Sequence, residues 1–261
     1  MSASAGSNAV EISEALKAEL DKLATASRIL EMEGHGNFTL GHLALRDPEG
    51  RGLWIKRWGL TLGEVQDWTD HQLIDFEGNL LFGDSGKRHS EWPIHAGVFK
   101  ARPEINATAH THPRYGTVFS AIAEPLQALS NSGAFFAEPP PRYTATSELV
   151  RTVKAGDEMA AIMGASYAIF LRNHGVVFAG ETIEKLIYVG SHLESACQHH
   201  LEIAATGMKF DVPDADERAR KSLAMQEVRN IGLYFDYFRN KLALTQKFGD
   251  PNIPVQRRAG S

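Results

Sequence analysis

Between Gly41 and Phe82 the apolar residues fall in four short runs, "HLALR", "LWIKRW", "QLIDF" and "NLLF", parted by Gly, Asp, Glu and Pro. Runs this short, bounded by turn formers, predict strands and tight connections rather than helices. Longer periodic stretches surround them. Leu16, Leu20, Leu23, Ser27 and Leu30 recur at spacings of four and three, which predicts a helix capped by Ser13 and stopped by Gly34. "SEWPIHAGVFKARP" reads as a helix with Ser90 as its cap, "YGTVFSAIAE" as a short helix, and "SELVRTVKAGDEMAAIM" as a longer one. "FFAEPPPRY" reads as a loop because of its three successive prolines. "YAIFLRNHGVVFAG" reads as two strands broken at Asn173-His174-Gly175, followed by a long helix from Thr182 to about Ala205. The order lacks the regular βαβ alternation of a doubly wound sheet, so the fold class is α/β with a central, mostly antiparallel or mixed sheet flanked by helices. Residues 1–10 read as a flexible tail, 11–210 as the main domain, and 211–261 as a C-terminal helical extension ending in a polar tail.

Composition narrows the function. A net charge of −5 over 261 residues, with basic residues scattered, disfavours a nucleic-acid partner. No stretch approaches the roughly 20 apolar residues that span a bilayer, and no secretory leader is evident, so no membrane partner is expected. With one cysteine, Cys197, an internal disulfide is impossible, and a reducing cytoplasmic location is the expectation.

The chemistry concentrates in "TAHTHPRYGT", residues 108–117. Thr108 to His112 read as a strand, and alternate strand residues share a face, so His110 and His112 point the same way and can grip one ion. His174 lies in "LRNHG", where Gly175 permits a sharp turn, and Glu91 opens the helix before the His strand. Three neutral imidazoles and a carboxylate suit Zn²⁺ and also accept Mn²⁺, Fe²⁺ or Co²⁺, one ion per chain. The plain alternative is a pair of hydrogen-bonded structural histidines. His192, His199 and His200, on the long helix, read as surface or interface residues, and Cys197 as inert core.

"SEWPIH", then "RPEINATAHTHP", then "LRNHG" before a long helix, resemble the successive signatures of the class II aldolase/adducin family, over about Leu23 to Leu201. The resemblance implies a class II aldolase-like three-layer fold, with His110, His112 and His174 as metal-binding histidines. It also implies that Glu91 ligates the ion at rest and acts as acid or base when it swings away. A homotetramer with interfacial active sites follows from the same likeness, as does a small-molecule substrate. The chemistry implied is that of a lyase cleaving a carbon–carbon bond through a metal-stabilised enolate. Adducin itself shows that the fold can exist without catalysis.

The chain departs from the sugar-phosphate enzymes of that family at their phosphate-binding positions. His42 stands where an asparagine is expected, Trp58-Gly59 replaces a Thr-Gly turn, and His89-Ser90 replaces a Ser-Ser pair. Fewer small donors weaken a phosphate cradle. Trp58, His42 and His89, with Lys56, Arg57, Arg88 and Arg114 nearby in sequence and Tyr115 within reach, suit a flat, carboxylated, hydroxylated ring. The reading is therefore a decarboxylase of a hydroxylated aromatic acid, or an aldolase on a non-phosphorylated substrate. A non-haem iron oxygenase and a non-catalytic adducin-like module are the alternatives.

Overall fold

The computed structural model describes residues 10–83, 87–136, 138–227 and 231–249. The expected tails at 1–9 and 250–261 lie outside them. Eight strands form one sheet: β1 (His42–Arg46), β2 (Leu53–Lys56), β3 (His71–Ile74), β4 (Leu80–Phe82), β5 (Ala107–Thr111), β6 (Arg142–Tyr143), β7 (Ala168–Leu171) and β8 (Gly175–Gly180). Their spatial order is β4-β3-β2-β1-β5-β8-β7-β6, antiparallel throughout except for the β6–β7 pair. The mixed, mostly antiparallel sheet is thus flanked by helices on both faces, as its sequence pattern predicts.

Strand alternation sorts side chains between the two faces. Leu43, Leu45, Ala107, Ala109, Val176 and Phe178 face one core, shared with α1 (Glu14–Met32) and α6 (Ile183–Ala205). Ala44, Ile55, Val177 and Ala179 face the other, shared with α2 (Trp92–Ala101) and α5 (Val153–Met163). The shorter α3 (Arg114–Ser120) and α4 (Asn131–Ala134) join the first layer, together with α7 (Ala215–Gln226) and α8 (Ile231–Phe248). Residues of β5 offset by one from its alanines, Thr108 and His110, therefore meet the α2 side. Strand β5 is central, so His110 is completely buried.

Helix α2 lies against α5 in backbone contact. A Cβ built on Gly97 would sit 2.3 Å from the carbonyl oxygen of Gly156, and one on Gly156 would sit 2.2 Å from that of Pro93. Only glycine allows such an approach. This crossing fixes the end of α2 that carries Glu91.

Several boundaries differ from the sequence reading. Ser13 does cap α1, accepting from the Leu16 N–H at 3.2 Å. Ser90 does not cap α2: the helix begins at Trp92 with Glu91 in the cap position and no side-chain cap bond. Helix α5 begins only at Val153, capped by Thr152, so 147–152 are not helical. Within the proline loop, Arg142–Tyr143 form an edge strand paired with β7. At an edge a missing proline N–H leaves no bond unmade, while the Pro141 carbonyl still accepts from Phe170.

Candidate metal centre

His110, His112 and His174 converge from two elements. The first two come from β5 and its extension, and the third from the turn joining β7 to β8, where Asn173 takes a left-handed conformation (φ 56°). Asparagine tolerates that region better than most residues. Gly175 is required for closeness, since a Cβ there would lie 2.6 Å from both His112 Cδ2 and the Thr111 carbonyl oxygen. One nitrogen from each of the three imidazoles lies within 4.8 Å of those of the others.

The hydrogen bonds suit a cation. His110 Nδ1 lies 3.0 Å from the Val176 carbonyl, which can only accept, so the proton sits on Nδ1 and Nε2 carries the lone pair. That Nε2 is 3.2 Å from His112 Nε2. Two nitrogens each about 2.1 Å from one tetrahedral ion stand roughly 3.4 Å apart, so the spacing fits shared coordination. Burial pushes both imidazoles down to about 3, with neighbouring histidines adding to the effect, so both are neutral, as ligands must be. The donor set fits a divalent metal.

Glu91 lies beside the group. Its carboxylate oxygens lie 3.8 Å from His110 Nε2 and 4.0 Å from His174 Nε2. The Val150 N–H donates to its Oε1 at 3.2 Å. Burial pushes the Glu91 carboxyl up, against the opposing pull of His174, that N–H and Arg151. A buried carboxyl of this kind holds a proton more readily than an exposed one.

Other candidates separate into two groups. His42, directly opposite His110 in the β1–β5 pair, and His89 extend the imidazole cluster, with ring centroids 5.4 Å and 4.8 Å from one neighbour to the next. Trp58 and Ser90 line an adjoining cavity, and Gly59 follows Trp58 in the turn. By contrast, Arg57 is paired with Asp70 at 2.6 Å, and Tyr115 is partly buried against the first core, its backbone N–H donating to Glu194 at 2.8 Å. Lys56 is buried beneath the Trp58 turn and donates to the carbonyls of Thr39 and Leu60, and burial pushes its amine down to about 8.

The sequence reading passed over His95, Lys87 and Arg151. His95 is wholly buried; its Nε2 is 2.6 Å from His42 Nδ1, and its Nδ1 is 2.7 Å from Thr108 Oγ1. A separation of 2.6 Å is a hydrogen-bond distance, too short for two ligands of one ion, so this pair orients His42 rather than binding a second metal. Its position four residues after Glu91, one helical turn away, was the available signal.

A family model described as Class II Aldolase and Adducin N-terminal domain matches residues 21–201, and the chain belongs to that family. Among its relatives is the Meiotically up-regulated gene 14 protein of Schizosaccharomyces pombe, 26% identical over 217 residues (82% of this chain, 84% of that protein). Another is a 3,4-dihydroxyphthalate decarboxylase of Terrabacter, 30% identical over 220 residues (79% of this chain, 90% of that protein). The solved L-fuculose 1-phosphate aldolase from Glaciozyma antarctica superposes with a TM-score of 0.74 at 27% identity, covering 90% of this chain and 92% of that one. These relatives support a lyase of the class II aldolase type. None of the described helices is long and apolar enough to cross a membrane.

Proposed function

We propose that this protein is a divalent-metal-dependent carbon–carbon lyase, and specifically a decarboxylase of a hydroxylated aromatic carboxylic acid. The observation carrying the proposal is the buried Glu91 carboxylate held about one atom's width from two of three converging imidazoles. His110, His112 and His174 would hold the ion, with Glu91 beside it. When bound, a divalent cation supplies Lewis acidity that stabilises negative charge developing on a substrate oxygen.

The chain's own residues supply the rest. When a carboxylate leaves as carbon dioxide, its bonding pair stays on the ring carbon, and one proton must be returned to that carbon. Glu91 is the side chain suited to return it, because its carboxylate oxygens lie 3.8 Å and 4.0 Å from two of the imidazoles that would hold the ion; burial alone pushes its carboxyl up, and a bound cation would pull it back down. The Val150 N–H steadies the carboxylate once the proton has gone. His42, oriented by His95, offers its remaining nitrogen to a substrate hydroxyl. The same reading includes a homotetramer in the cytoplasm, which light scattering and cell fractionation would test.

The decisive experiment is a panel. Carbon dioxide release from hydroxylated benzene carboxylates is measured beside aldehyde release from hydroxy acids, in air and under argon. Carbon dioxide without aldehyde, unchanged under argon, is the expected result. Aldehyde release would make it an aldolase, loss of turnover under argon an oxygenase, and silence throughout an adducin-like module.

A further inference from the structure

A metal-binding imidazole is ordinarily held in its orientation by a hydrogen bond from the ring nitrogen that does not touch the ion. His110 has such a bond, to the Val176 carbonyl. His112 Nδ1 and His174 Nδ1 are buried and have none among the described residues. The aim of these two rings must therefore come from the backbone that carries them. Helix α3 joins the two places: it begins two residues after His112, and its last residue, Ser120, meets the turn that carries His174. The buried Ser120 Oγ accepts from the His174 N–H at 3.2 Å, a donor shared with the Leu171 carbonyl at 3.0 Å, and the Ser120 carbonyl accepts from the Asn173 N–H at 3.4 Å. Midway, Gly116 lies against β8, where a Cβ would come within 3.1 Å of Val176 Cγ1.

Both ends of α3 are gripped by charged side chains from other elements. Pro113 stands at its N-cap and offers no side-chain acceptor, so the first N–H groups lack the usual cap. Glu194 of α6 takes that role: its Oε1 accepts from the Tyr115 N–H at 2.8 Å and its Oε2 from the Gly116 N–H at 2.7 Å. At the other end Arg142 of β6 donates from Nη1 to the carbonyls of Phe119 at 3.0 Å and Ser120 at 3.2 Å, and from Nη2 to that of Glu124 at 3.1 Å. A carboxylate at the amino end and a guanidinium at the carboxyl end each complement the helix dipole. Seven residues are too few for a helix to keep its shape unaided.

We infer that α3 is a strut that sets the separation of His112 and His174, with Glu194, Arg142 and Ser120 as positioning residues for the metal ion. Loosening either end lets the two rings part, so that affinity falls and the coordination geometry changes while the fold persists. The inference rests on His110, His112 and His174 as ligands, and not on the reaction that the ion supports.

The test reads the ion itself in the full-length protein. Zn²⁺ affinity is measured by competition with a chromogenic chelator, and the visible absorption of Co²⁺-loaded protein reports the coordination geometry. Glu194→Gln keeps the size of the side chain but sets an amide NH₂ against one of the two N–H donors. Ser120→Ala removes the contact to His174 and leaves a good helix former in place. Each should weaken Zn²⁺ binding by about tenfold or more, and each should alter the Co²⁺ bands at saturation. Arg142→Met should do the same, with Arg142→Lys recovering part of the loss. Ser13→Ala removes the cap of α1 without touching α3, and it should match the parent protein in both readouts. Should Glu194→Gln fail to fold, Ser120→Ala and the two arginine variants decide. Parental Zn²⁺ affinity and parental Co²⁺ bands in the folded variants would overturn the inference. An equal loss in Ser13→Ala would also overturn it, because lowered stability alone would then be the cause. Failure of the metal reading looks different: the parent protein takes up neither ion, and the inference falls with it.

Discussion

At the scale of single residues, holding the ion and moving the proton fall to different side chains. His112 places Nε2 3.2 Å from its partner nitrogen, and its Nδ1 has no hydrogen-bond partner among the described residues. His112→Ala should therefore purify with little or no bound metal. Glu91→Gln removes the proton-carrying carboxyl and leaves three imidazoles in place. It should retain much of the metal yet lose about a hundredfold or more in turnover, the usual weight of a general acid. Metal analysis beside turnover for both variants checks the division, and full activity in Glu91→Gln would remove Glu91 from the proton transfer. Strand alternation pairs His110 with His112 in the sequence, whereas His174 and Glu91 join them through the family resemblance of "LRNHG" and "SEWPIH". His95 had neither signal. Its role exists only because β1 lies beside β5, bringing His42 opposite His110 and within reach of α2.

Among elements, the α2–α5 crossing decides where Glu91 sits. Both backbones touch at Gly97 and Gly156, so an added methyl has nowhere to go. Alanine ordinarily favours a helix interior by about 1 kcal/mol over glycine. At position 156 the clash at 2.2 Å with the Pro93 carbonyl should reverse the sign, lowering stability by roughly 1–3 kcal/mol and shifting the Glu91 end of α2. Gly232→Ala in α8 is the control, because nothing lies within 4 Å of its ideal Cβ and it should be neutral or slightly stabilising. Denaturant unfolding of both variants reads the difference, and a stabilised Gly156→Ala would contradict the packing account. Element boundaries near the site were the least legible part of the sequence. Ser13 and Thr182 cap α1 and α6 in the ordinary way. Ser90 and the start of "SELV" failed as helix beginnings. Residue 91 occupies the cap position of α2, with its carboxylate turned to the imidazoles rather than to the helix end. Residues 147–152 stay non-helical, and the Val150 N–H there donates to Glu91. Tertiary demands at the site overrode local capping preference.

For the whole molecule, buried histidine sets the response to acid. Burial pushes His35, His89, His110 and His112 down to about 3 and His71 to about 4, and drives His42 and His95 well below the ordinary value. In the unfolded chain these side chains titrate near 6.5. Between the two values the unfolded state binds more protons than the native state, so stability is full above about pH 6.5 and falls as pH drops below it. Each extra proton steepens the fall by about 1.4 kcal/mol per pH unit. Glu91 and Glu194, raised by burial, act in the opposite sense, since the native state keeps their protons longer as pH rises. Burial also lowers His192 and His200, so two carboxyls oppose nine imidazoles among the described residues, and the imidazoles prevail. Chelator-treated protein should therefore show a urea midpoint that drops steeply between pH 7 and pH 5, with several protons taken up per chain on unfolding. Metal-loaded protein should hold its midpoint to lower pH at first and then lose it more abruptly, because the ion ties up neutral imidazoles until protons displace it. A midpoint flat from pH 7 to pH 5 without metal, falling only below about pH 4, would mean that carboxylates rather than this imidazole cluster govern acid unfolding.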